Sequence, residues 1–294
     1  MIQNLNIIDS NEYFLDFDNS RIWCKSIGST KETTILLLHG GPGAPSYYLN
    51  SLTPLSNKFN VVFFDQLGCG KSPAEIDTKK INIDYFVSQV DLVINSVKKD
   101  KVVLYGQSWG ALLALEYYNK FPDKVEKLIL SSPLISTKKW IDDANKLIKT
   151  LPSLMQEIIR KSIETQNFNT TDYQNVVNHF YENFVARKLP WSEDISRTFA
   201  EFGSEIYNYM WGPCEFISNG YLQKYDRTDL LEIINIPTLF ICGEYDEILP
   251  ETISHYNSLV KNSVLSINSG SAHLTMQDNP ESDIQAILNF LENY

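Results

Sequence analysis

The sequence predicts an α/β fold: a mostly parallel central sheet with helices on both faces and a helical insertion. Three observations lead there. Continuous apolar runs of strand length recur along the chain, amphipathic stretches at helical spacing separate them, and this rhythm stops between 134 and 230 before resuming. At the start, "EYFLDFD" (12–18) and "RIWCKSIG" (21–28) flank the polar turn Asp18-Asn19-Ser20 and predict an antiparallel hairpin at the sheet edge. The buried strands follow as "TTILLLH" (33–39), "NVVFFD" (60–65), "KVVLYG" (101–106), "VEKLILSS" (125–132), "IPTLFICG" (236–243) and "SVLSINSG" (263–270). Helical spacing marks 83–99, 109–121 and the closing "ESDIQAILNFLENY". The expected organisation is one discontinuous core, 1–133 and 231–294, carrying a helical cap over 134–230.

Bulk properties narrow the function classes. At 294 residues and 43% hydrophobic, the chain can bury a large core. A formal charge of −11 leaves no basic stripe to displace counterions from phosphates, so nucleic acid is excluded as a partner. No basic n-region with an apolar run opens the chain and no stretch is long enough to span a membrane, so an unexported, cytoplasmic protein is expected. Cys24, Cys69, Cys214 and Cys242 are scattered and read as reduced, mostly buried thiols. With four histidines and no paired ligand spacing, neither a metal site nor a cofactor is expected.

Chemistry concentrates in four loops. Gly106-Gln107-Ser108-Trp109-Gly110 matches G-x-S-x-G between a predicted strand and a predicted helix, the context of a nucleophile elbow. The glycines two before and two after the serine let strand and helix approach. A serine nucleophile needs a base, and the base needs a carboxylate to orient it. His39 precedes the serine and His179 lies in the insertion. That leaves His255, in a predicted surface helix, and His273, in the small-residue loop "NSGSAHLTMQDNP"; His273 is the better base. "CGEYDEILP" follows a strand and offers Glu244, Asp246 and Glu247, of which Asp246 is taken as the acid. The tetrahedral oxyanion needs two preorganised donors, assigned to the backbone N–H groups of Trp109 and, from "LLLHGGPGAP", Gly41.

Taken in order, "HGGPG" (39–43), "DQLGCGKS" (65–72), "GQSWGALLAL" (106–115), "MWGPCEF" (210–216), "GEYDE" (243–247) and "HLTMQDNP" (273–280) resemble the proline iminopeptidase family of α/β-hydrolases, which includes the tricorn-interacting aminopeptidases. The resemblance covers almost the whole chain. It implies Ser108 as nucleophile, Asp246 as acid, His273 as base, and Gly41 with Trp109 as oxyanion hole. It further implies that Glu215 and Glu247 bind the free α-amino group of the substrate. Two carboxylates in a partly dry cleft would suit a single ammonium. The chain departs from many members in carrying Ala111 after Gly110, and its 134–230 region matches least outside "MWGPCEF".

The expected activity is removal of an N-terminal residue, proline or another apolar one, from short peptides or aminoacyl amides through an acyl-enzyme. Trp109, Trp211 and aromatic residues of the insertion are candidates for an apolar pocket. An esterase, lactonase or amidase acting on substrates without an amino terminus would use the same triad, and a non-catalytic binding protein on this scaffold is the rival from another class.

Overall fold

The computed structural model describes residues 9–294. Its centre is an eight-stranded sheet in the order β1-β2-β4-β3-β5-β6-β7-β8. The strands are β1 (Ser10–Phe17), β2 (Ser20–Ile27), β3 (Thr34–Leu38), β4 (Asn60–Phe64), β5 (Val102–Gln107), β6 (Val125–Ser131), β7 (Thr238–Gly243) and β8 (Ser263–Asn268). The first two form the expected hairpin, in register from Ser10↔Ile27 to Phe17↔Ser20. Asp18 and Asn19 turn it at φ 45° and 61°, the paired positive values of a two-residue hairpin turn. β2 meets β4 antiparallel, and every later pairing is parallel.

Parallel strands covered on both sides have no solvent face, which explains the unbroken apolar runs. Their side chains nevertheless alternate between two cores. Leu36, Leu38, Val62, Phe64, Leu104 and Leu128 pack beneath α1 (Ile83–Ser96) and α2 (Trp109–Lys120). Ile35, Leu37, Val61, Phe63, Val103 and Ile129 pack on the opposite side, against a 3₁₀ segment (Ser46–Asn57) and the C-terminal helix, Pro280–Asn293. The sequence reading missed the 3₁₀ segment. It contains Pro54 and lacks clear helical periodicity, and its Tyr48, Leu49, Leu52 and Leu55 are buried by tertiary contacts.

Between β6 and β7 the chain runs through α3 (Thr137–Ile148), α4 (Ser153–Thr165), α5 (Thr171–Phe184), α6 (Glu193–Ala200), α7 (Ser204–Met210) and α8 (Thr228–Leu231). Ser136, Thr170 and Ser192 cap α3, α5 and α6 through their hydroxyls. Leu147, Ile159, Tyr173, Phe180 and Phe216 give these helices a small core of their own. Backbone bonds tie them to the loops above the sheet: His273 N–H to Phe184 O, Leu274 N–H to Val185 O, and Gly203 N–H to Gly43 O. The last three helices are α9 (Pro250–Leu259), α10 (Thr275–Asp278) and α11 (Pro280–Asn293).

The tightest steric point lies where β5 turns into α2. A Cβ on Gly106 would fall on the Gly110 carbonyl, and one on Gly110 would fall on the carbonyl of Leu38 in β3. These are backbone atoms, so no rotamer change relieves the clash. Gly110→Ala is expected to cost at least about 3 kcal/mol in denaturant unfolding. Gly270→Ala, at φ 74° with open space around it, should cost only the left-handed backbone penalty of roughly 1–2 kcal/mol.

Candidate active site

The packing of β3, β5 and α2 sets the backbone of Ser108. It stands between β5 and α2 at φ 55°, ψ −118°, a conformation that L residues rarely adopt. Its N–H is held by Ser131 O at 2.9 Å, and its carbonyl accepts the N–H groups of Ala111, Leu112 and Leu134. The strained residue is therefore fixed from both sides. Ser108 borders a cavity of about 690 Å³, which is also lined by Gly41, His273, Glu215 and Glu247. Among the described residues, the N–H groups of Gly41 and Trp109 have no acceptor within the protein. Two unengaged donors beside a hydroxyl can receive an oxyanion.

Asp246 and His273 come together behind that cavity. Asp246 Oδ1 lies 2.9 Å from His273 Nδ1 and also accepts the Ile248 N–H at 3.1 Å. Its Oδ2 accepts the Ser132 hydroxyl at 2.5 Å and the Gly243 N–H at 3.2 Å. A fully buried carboxylate with four donors is locked in place and satisfied. The imidazole stands edge-on to Trp140, with centroids 5.3 Å apart. An imidazole anchored at Nδ1 by a carboxylate can take and return a proton at Nε2. In this structure Nε2 lies 2.9 Å from the Gln107 amide nitrogen, and the Ser108 hydroxyl makes no hydrogen bond among the described residues.

The remaining histidines lie elsewhere. His39 is buried and accepts the Gln66 N–H at 2.9 Å. His179 is half-buried on α5, and His255 is exposed on α9. Glu244 is exposed and bonded to Ser269 and Gly270.

Glu215 and Glu247 reach the same cavity from different elements. Glu215 follows α7, and its Oε2 accepts the hydroxyls of Tyr207 at 3.0 Å and Tyr181 at 3.3 Å. Glu247 follows β7 and is 4% exposed; its Oε1 is 3.5 Å from His273 Nε2, and its Oε2 has no hydrogen-bond partner. Burial raises the pKa of both carboxyls. For Glu215 the Tyr207 hydroxyl opposes the rise, whereas Glu247 is pushed well up by burial and then by the charges of Glu215 and Asp246. The Trp140 indole N–H, which also borders the cavity's lining, is buried without a partner. Orphaned buried polar atoms around a cavity are suited to a polar ligand.

Several contributors were not found from the sequence. Ser132, Tyr181 and Tyr207 hold the carboxylates, and Gln107 holds the imidazole, yet no local pattern marks those contacts. One expectation needs correcting: Trp211 lines the cavity, but the Trp109 side chain does not. It is fully buried in the core, bonded to Gln66 Oε1 and packed edge-on against Phe86, because the helix start turns it beneath the sheet's end.

The alpha/beta hydrolase fold family matches residues 33–280. A proline iminopeptidase of Heyndrickxia coagulans is 34% identical over 286 residues, covering 96% of this chain and 99% of that one. One from Thermoplasma volcanium is 35% identical over 273 residues, covering 92% and 91%. The crystal structure of a Mycobacterium smegmatis proline iminopeptidase superimposes with a TM-score of 0.87 at 25% identity, covering 96% and 98%. A family match across most of the chain, joined by relatives above 30% identity over nearly full length, places this chain in the α/β-hydrolase fold family and, within it, among the proline iminopeptidases.

Proposed function

We propose that the enzyme releases an N-terminal proline, or another apolar residue, from short peptides through an acyl-enzyme on Ser108. The observation that carries this reading is the unpaired buried oxygen of Glu247, beside Glu215 in the cavity that Ser108 borders. Two buried carboxylates without a cation are unfavourable, and a substrate ammonium would neutralise them. Anchoring the amine there would present the first carbonyl to Ser108.

Ser108 Oγ attacks that carbonyl carbon while its proton passes to His273 Nε2, and the oxyanion is received by the N–H groups of Gly41 and Trp109. Collapse breaks the C–N bond, and His273 delivers the proton to the departing amine. Water then adds to the acyl-enzyme with His273 again as base, releasing the amino acid and restoring the serine. Asp246 keeps the ring's Nδ1–H in place and stabilises the imidazolium. We assign residues 134–230 as a cap whose α3, α5, α6 and α7 roof the cavity, which favours short peptides over folded chains. Four free, buried cysteines agree with a reducing, cytoplasmic setting.

Glu215→Gln and Glu247→Gln should each raise KM for aminoacyl amides by at least about tenfold, the loss of one charge-assisted hydrogen bond, and leave hydrolysis of a neutral ester nearly unchanged. Equal losses on both substrates would favour an esterase or amidase reading. Because the Glu247 carboxyl is pushed well up, and ammonium binding needs it ionised, KM for amine-bearing substrates should fall as pH rises through its titration. The neutral ester should lack that dependence. Ser108→Ala should abolish turnover and covalent labelling by a phosphonate; an unreactive wild-type protein would favour a binding module.

A further inference from the structure

Gln107, the last residue of β5, directly precedes the serine, and the chemistry above does not use it. Its amide nitrogen lies 2.9 Å from His273 Nε2, the atom that must receive the serine proton. The hydrogen-bond chain behind Gln107 fixes which end of the amide faces the ring. The Gly40 N–H can only donate, and it donates to the Tyr48 hydroxyl oxygen at 2.7 Å. The hydroxyl proton is then directed to Gln107 Oε1, 2.8 Å away. The N–H end of the amide is left for His273, whose Nδ1 is engaged by Asp246 on the opposite side. A second observation supports the arrangement: a Cβ at Gly40 would stand 2.5 Å from Gln107 Oε1 and 3.3 Å from Ser108 Cβ, so glycine there makes room for the amide.

Resting on the roles given to Ser108 and His273, we propose that Gln107 is a positioning residue. Its amide, held by Tyr48, keeps the His273 imidazole in the tautomer that accepts a proton at Nε2 and stays beside that atom when the Ser108 hydroxyl donates to it. Once the ring takes the serine proton, Nε2 becomes a donor facing another donor. The contact that favoured the neutral ring then opposes the imidazolium, and the proton is driven on to the leaving amine. The titratable groups facing the ring are Asp246 at Nδ1, Glu247 at 3.5 Å from Nε2, and Glu215 across the cavity. Trp140 meets the ring at a right angle without charge, and Ser132 bonds beneath it to Asp246. Among the described residues, Gln107 is the side chain donating towards Nε2.

The test is the rate of Ser108 labelling by a neutral phosphonate without an amino group, measured against pH, so that amine binding plays no part. Removing a donor from the neutral ring should move the acid limb of the Gln107→Ala profile to higher pH by roughly half a unit to one unit, the worth of one net hydrogen bond. Gln107→Glu, nearly isosteric, should move it further. Tyr48→Phe, which frees the amide to turn, should move it less in the same direction. A limb unmoved in Gln107→Ala and Gln107→Glu overturns the proposal. Nitrogen NMR of the wild-type imidazole decides without any variant: the proton should sit on Nδ1, with Nε2 showing the shift of a hydrogen-bonded acceptor. A proton on Nε2 overturns the proposal. Failure of the phosphonate to label Ser108 counts against the nucleophile itself, and the NMR result then still decides the placement of Gln107.

Discussion

The close approach of three backbones, β3, β5 and α2, is the constraint on which the site depends. Gly106 and Gly110 permit it, and Leu38 O occupies the space a side chain at 110 would need. With those strands and the helix in contact, the connecting residue has no ordinary conformation available, so Ser108 adopts φ 55°. The strain, of order 1–3 kcal/mol, is sustained by the packed core and by the backbone bonds that hold Ser108 from both sides. The same geometry starts α2 directly after the serine, leaving the Trp109 N–H without a backbone acceptor among the described residues, while the Trp109 ring is sent into the core against Phe86. The hydroxyl and one donor are thus placed by a single packing event.

The carboxylates around that point divide into two kinds. Asp246 is saturated with donors and behaves as a structural part of the scaffold, orienting His273. Glu247 is nearly as deeply buried yet, among the described residues, has one oxygen with no partner, while the Tyr207 and Tyr181 hydroxyls bond to its neighbour Glu215. Burying charge without a counterion costs several kcal/mol per ion, and burial together with the charges of Glu215 and Asp246 pushes the Glu247 carboxyl well up, towards its neutral form. A cationic ligand would reverse the balance. The backbone bonds of His273 and Leu274 to Phe184 and Val185 tie the loop of the imidazole to the end of α5, the helix that carries Tyr181.

Much of this was legible because the determinants are local. Apolar runs marked the five parallel strands β3 to β7, since burial on both faces leaves no polar alternation. The Asp18-Asn19 turn marked the hairpin, and G-x-S-x-G marked the strand-to-helix join. The pairing of Asp246 with His273 was readable from loop position and chain order, and the cavity placement of Glu215 through the family resemblance. What could not be read depends on tertiary placement alone. Nothing near Tyr181 or Tyr207 announces that both hydroxyls meet Glu215, and the side-chain direction of Trp109 follows from how α2 leaves the sheet. The bond from Gln107 to His273 needs Tyr48 and Gly40 as well, residues from a loop and a 3₁₀ segment with no periodic signal.

The central claim is that the ammonium of an entering substrate draws the buried Glu247 carboxyl, pushed up by its surroundings, into its ionised form. Titration calorimetry of Ser108→Ala with prolinamide at neutral pH, repeated in buffers of different ionisation enthalpy, measures the protons exchanged on binding. The account predicts net proton release into the buffer, lost when Glu247→Gln is added. No release, or net uptake, would contradict it.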